Sequence, residues 1–147
     1  MGSEIDNDDL FKKFGTVNFT AVSRVNDFID FLEKGRLAGT RCPSCGTAFF
    51  PPRADCARCL VDDMEWFEVQ RPGRLVTYSR LQFAPEGFQE DVPYSIALLD
   101  FGDFKMFGRI APEVPEDALK LGMEMVPAVR SLPNGQLTYE FRVATQV

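Results

Sequence analysis

Four cysteines, set as Cys42-Pro43-Ser44-Cys45 and, ten residues later, Cys56-Ala57-Arg58-Cys59, restrict this chain more than any other feature. Each C-x-x-C turn presents two thiolates from one tight knuckle, and two such knuckles supply the four soft ligands of a tetrahedral Zn²⁺. A thioredoxin-like redox pair needs one such motif and a βαβ setting, which this sequence lacks. Gly46 follows the first knuckle, where the turn often needs a positive φ. Four thiolates around Zn²⁺ leave a net charge of −2, and Arg41, Arg53 and Arg58 stand beside the ligands to offset it. A site closed by four sulfurs has no position for water or substrate, so the zinc is structural and catalysis by it is excluded. It contributes folding energy to a segment too short to hold a core.

The remaining composition narrows the chemistry. The chain of 147 residues has four cysteines, all spent on the zinc, and no histidine. Ser–His–Asp and Cys–His catalysis are therefore excluded, as is any histidine metal ligand. Closely spaced cysteines read as metal ligands in a reducing compartment. No run approaches the roughly 18 apolar residues of a membrane span. The N-terminus lacks a secretory pattern, and Asp6 spoils the myristoylation start that Met1-Gly2 suggests. A cytoplasmic protein is expected. The net charge of −6 is uneven: residues 1–61 carry eight basic and eight acidic side chains, residues 62–147 eight and fourteen. The C-terminal part should repel phosphate backbones.

Along the chain, residues 1–22 form an arm with Phe11, Phe14 and Phe19, read either as a tail or as a segment that docks on a partner. Residues 23–39 have helical periodicity in Val25, Phe28, Ile29 and Leu32, with Phe31 widening the stripe. Ser23 or Asn26 is the expected cap, and Gly35 or Gly39 the expected stop. Residues 40–61 hold the ribbon. Residues 62–147 carry β signals: a strand starting at Trp66 to Val69, a turn at Pro72-Gly73, then strands at 74–83, 93–101 and 104–110. A helical or irregular crossover over 111–121 precedes strands at 123–130 and 137–143, joined by Pro133-Asn134-Gly135. Five strands after that turn, with one crossover, fit a Greek-key OB-type barrel better than a seven-stranded sandwich. The expected core is Val76, Tyr78, Ile96, Leu98, Phe107, Met125, Tyr139 and Phe141.

The stretches Arg41-Cys42-Pro43-Ser44-Cys45-Gly46, Phe50-Pro51-Pro52-Arg53 and Cys56-Ala57-Arg58-Cys59 resemble the ribbon of the DUF35 family. The resemblance continues through Glu65-Trp66, 73–78, Pro93-Tyr94, Gly108-Arg109-Ile110 and Leu121-Gly122-Met123. It implies a mainly β chain: an amphipathic helix, a rubredoxin-like zinc ribbon and a five-stranded OB-fold barrel. It also implies a partner, because such proteins accompany thiolases and related acyl-CoA enzymes. The small subunit of benzoylsuccinyl-CoA thiolase in anaerobic aromatic degradation is one example. The resemblance supplies no catalytic motif.

Three functional readings follow. The first is a non-catalytic subunit of a thiolase-type complex that supports the assembly and acyl-CoA site of a thiolase-fold partner. Phe11, Phe14, Phe19, Phe28 and Phe31 are then its candidate partner contacts. The second is a stand-alone acyl-CoA-binding protein whose phosphate contacts are Arg36, Arg41, Arg53 and Arg58, although these arginines also read as balancing the zinc site. The third is a single-stranded nucleic-acid module using Phe83, Tyr94 and Phe107 as stacking platforms, although these aromatics also read as barrel core. Glu113, Glu116 and Asp117 read as the solvated start of the crossover rather than as acids for catalysis.

Overall fold

The apolar stripe at Phe28, Ile29 and Leu32 does coil. In the computed structural model, which describes residues 13–15 and 24–144, α1 spans Asp27–Glu33 and buries all three residues. Asp27 and Asp30 in its first turn complement the positive end of the helix. Asn26 occupies the N-cap, but its side chain makes no capping hydrogen bond. Gly35, at φ 73°, turns the chain out of the helix.

The chain divides into two units: residues 1–68 with 129–138, and residues 69–128 with 139–147. In the first, α1 packs with a three-stranded antiparallel sheet of order β2-β1-β3, made of β1 (Ala38–Arg41), β2 (Ala48–Phe49) and β3 (Glu65–Glu68). The helical stretch expected to reach residue 39 therefore gives way to strand at Ala38. Trp66 and its neighbours pair with β1, so they belong to the ribbon sheet rather than leading into the barrel. Phe28, 1% exposed, is flanked edge-on by Phe14 at 5.4 Å and Phe50 at 6.0 Å.

Gly39 sits in the middle of the central strand. A Cβ there would run into the carbonyl oxygen of Phe49 and lie 2.9 Å from the Phe67 ring. Gly39→Ala is therefore expected to destabilise this unit by about 1–3 kcal/mol, the usual cost of forcing extra volume into a packed site. A shift in the denaturant midpoint without a change in m-value checks it.

The second unit holds most of a closed five-stranded barrel of order β4-β5-β6-β8-β7. Its strands are β4 (Gly73–Leu81), β5 (Tyr94–Asp100), β6 (Lys105–Ile110), β7 (Glu124–Ser131) and β8 (Leu137–Val143). Antiparallel pairing of Gly73 with Met125 closes the barrel, and β6 runs parallel to β8. The expected crossover carries a 3-10 turn at Glu116–Ala118, where Glu116 lies 3.5 Å from Arg80.

The barrel core corrects the expected one. Met125 and Phe141 are fully buried as expected. On the first three strands the faces are reversed: the interior is filled by Leu75, Ala97, Leu99 and Met106, while Val76 is 42% and Phe107 58% exposed. Ile96 and Leu98 alternate with the buried Ser95, Ala97 and Leu99 and so lie on the opposite face of β5. A register shift between Leu75 and Thr77 is why Tyr78, three residues on, pairs with the inward Ala97.

Candidate metal centre

Both knuckles are built by the same backbone hydrogen bonds. Cys42 N–H donates to Thr47 O and Gly46 N–H to Cys42 O, each at 2.9 Å. Cys56 N–H to Val61 O and Leu60 N–H to Cys56 O repeat the pattern at the same lengths. The fourth residue after the leading cysteine takes a positive φ in each, Gly46 at 76° and Leu60 at 61°. The glycine was legible in the sequence; the leucine in the matching place was not. Leu60 is 80% exposed rather than covered by the ribbon.

The ligand atoms of Cys42, Cys45, Cys56 and Cys59 all lie within 4.8 Å of one another. A Zn–S distance of about 2.3 Å requires sulfurs about 3.8 Å apart in a tetrahedron. Cys45 and Cys56 sulfurs, at 3.7 Å, meet that requirement. The amides of Arg58 and Cys59 both donate to the Cys56 sulfur at 3.3 Å. Cys42 and Cys56 are buried, and Cys45 and Cys59 face solvent. Among the thiols, the hydroxyl and amide of Thr47 hold Cys45 down to about 6. The hydrogen bond with Cys45 in turn pushes Cys59 up to about 12. Cys42, Cys45, Cys56 and Cys59 would hold a zinc ion as four thiolates, and it would supply folding energy to the segment. The cluster thus fits one structural Zn²⁺, with every ligand position taken by sulfur.

The surrounding arginines are held locally. Arg41 donates to Gly46 O at 3.0 Å and lies over the Phe67 ring at 5.1 Å. Arg53 lies over Phe49 at 5.5 Å and donates to Asp55 O at 3.3 Å. Arg36 pairs with Glu68 and lies over Phe31 at 5.2 Å. Arg58 is exposed at the second knuckle. A buried hydroxyl ties the linker to the sheet: Thr40 accepts from the Arg53 amide at 2.8 Å and donates to its carbonyl at 2.9 Å.

Of the phenylalanines offered as partner contacts, Phe28 lies in the chain's own core. Phe31 is half-buried, 5.5 Å from Trp66, and Phe14 is half-buried and bridges to Leu137. Phe11 and Phe19 lie outside the described residues. Among the described residues, no helix is long and apolar enough to cross a membrane.

Comparisons with known proteins follow the same division. Residues 30–65 match the family described as ChsH2, rubredoxin-like zinc ribbon domain, and residues 66–130 match ChsH2, C-terminal OB-fold domain. A DUF35 domain-containing scaffold protein of Methanocaldococcus jannaschii is 31% identical over 116 residues, covering 75% of this chain and 82% of that protein. A scaffold protein of the same description from Pyrococcus furiosus is 29% identical, covering 69% and 74%. Among solved structures, the Ltp2-ChsH2(DUF35) aldolase aligns with a TM-score of 0.70 at 23% identity, over 84% of this chain and 98% of that one. A DUF35 protein of unknown function from Sulfolobus solfataricus aligns with a TM-score of 0.52, also at 23% identity, over 71% and 78%.

Proposed function

Since the chain belongs to the DUF35 family, with a ChsH2-type zinc ribbon and OB-fold, we propose that it is a non-catalytic zinc-binding subunit of a thiolase-type acyl-CoA enzyme complex. One observation carries this reading. The metal cluster uses all four cysteines, and the chain has no histidine. Thiolase chemistry needs a nucleophilic cysteine and histidine bases. Those groups must come from a catalytic partner, which this chain helps to assemble and whose acyl-CoA site it supports. The naming of its relatives as scaffold proteins points the same way, as does the pairing of ChsH2 with a second protein in the aldolase. Within the complex, Arg36, Arg41, Arg53 and Arg58 are the proposed contacts to CoA phosphates. The finer proposal, benzoylsuccinyl-CoA as substrate of the complex, rests on the sequence resemblance. A cytoplasmic location belongs to the same reading.

The test is co-expression with thiolase-fold proteins of the same organism. The pair is expected to purify as a hetero-oligomer that thiolyses a β-ketoacyl-CoA, with benzoylsuccinyl-CoA the first substrate to try. The isolated chain should show no turnover. Turnover by this chain alone, abolished by a point substitution within it, would refute the reading.

A further inference from the structure

The reversed faces of the barrel leave an apolar surface on its outside. Tyr94, Ile96 and Leu98 on β5 lie on the outer face, half-buried. Leu98 pairs across to Phe107 on β6 and Ile96 to Arg109. On the other side of β5, Leu98 and Ile96 pair with the small exposed Thr77 and Ser79. The result is an apolar strip with Phe107, 58% exposed, along one side. Beyond its end, past the Leu81–Tyr94 pair, the loop 82–93 carries Phe83 at 90% exposure. Two aromatic side chains this exposed beside an apolar strip mark an interaction surface rather than scattered surface residues. In OB-folds the face of the second and third strands, here β5 and β6, with the loop before them, is the usual ligand face.

Charge decides what it takes. The loop 82–93 contains Glu86, Glu90 and Asp91 and no Lys or Arg. Arg109 on β6 is already held, 3.9 Å from the Tyr94 ring, 5.1 Å from the Phe88 ring and 3.0 Å from Asp91. Such a margin repels a phosphate backbone. A second copy of this chain would set its own Glu86 and Glu90 against the same carboxylates. We propose that the outer face of β5 and β6, with Phe83, docks a protein partner through an apolar surface of that partner rimmed by Lys or Arg side chains. Taking the catalytic subunit as this partner rests on the proposed function.

The experiment uses the full zinc-loaded chain and the thiolase-fold protein of the same organism that co-purifies with it. Phe83→Ser with Phe107→Ser is expected to raise the dissociation constant at least about 30-fold, the effect of truncating aromatic anchors. Zinc content and melting temperature should stay at their wild-type values, because both side chains are already exposed. Glu86→Gln with Glu90→Gln is expected to slow association and flatten its dependence on salt. Undiminished affinity of the Phe83/Phe107 variant would overturn the docking face while leaving the subunit reading intact. Absence of any complex with the wild-type chain would remove the subunit reading and this occupant together. Binding of a thymidine dodecamer at low salt, or dimerisation of the isolated chain, lost in either case with the two phenylalanines, would overturn the proposal in favour of those occupants.

Discussion

Replacing Cys56 with serine is expected to take the zinc content of the chain from one equivalent to near zero and to unfold the segment around it. Cys56 is the ligand with most to lose: it is fully buried, its sulfur accepts two amides at 3.3 Å, and it stands 3.7 Å from Cys45. A serine hydroxyl is shorter, harder and far less acidic, so it neither reaches the metal position nor replaces a thiolate charge. Structural zinc in sites of this kind is worth about 10–16 kcal/mol of apparent binding free energy, which is also folding free energy. Between residues 42 and 60 the buried apolar residues are Cys42, Ala48, Phe50, Pro52 and Cys56. That is too little to hold the segment when the metal leaves. The newly exposed surface should come from Phe50 rather than Leu60, which is already in solvent. Metal analysis, the spectrum of the cobalt-substituted protein and amide dispersion for residues 40–68 check this. Full zinc retention with unchanged amide spectra would count against a four-sulfur site.

In the barrel, Leu99→Ala and Leu98→Ala are expected to differ sharply although the residues are neighbours. Leu99 is fully buried, and its removal should cost about 3–5 kcal/mol, the sum of lost transfer energy and the cavity left behind. Leu98 is half-buried on the outer face, so its truncation should cost about 1 kcal/mol or less. Equal losses, or the reverse order, would mean that β5 presents its other face to the core. Equilibrium denaturation of the two variants side by side decides it.

That same strand shows where sequence reading stops. The ligand set was legible because its information is local: two short spacings fix four sulfurs whatever the rest of the chain does. The five barrel strands and their crossover were legible for a related reason, since Pro72-Gly73, Gly102-Asp103 and Pro133-Asn134-Gly135 punctuate them. The facing of β5 was not. Its run Tyr94-Ser95-Ile96-Ala97-Leu98-Leu99 is apolar in both parities, and the larger side chains at Ile96 and Leu98 favoured the wrong one. On β6 the choice lay between Met106 and Phe107, and the smaller residue took the interior. One face of β8 could be told from the other because charged Glu140 and Arg142 flank Phe141. Even there Glu140 is buried, held 3.1 Å from Arg142. The shift in β4 between Leu75 and Thr77 leaves no mark in composition. The pairing of β3 with β1 is decided by contacts distant in sequence, which a linear pattern does not carry.

One unit of the chain is assembled from two separated stretches, residues 1–68 and 129–138. A ribosome delivers the N-terminus first, so this unit waits for its last ten residues until residues 69–128 have emerged. The cysteines span only positions 42–59, a loop whose closure is entropically cheap. Metal capture therefore needs nothing from later in the chain and can precede every long-range pairing. During synthesis the zinc then acts as a clasp, holding the nascent ribbon in shape until the hairpin that completes its unit arrives. Zinc starvation during translation should harm the yield of folded protein more than zinc removal after folding.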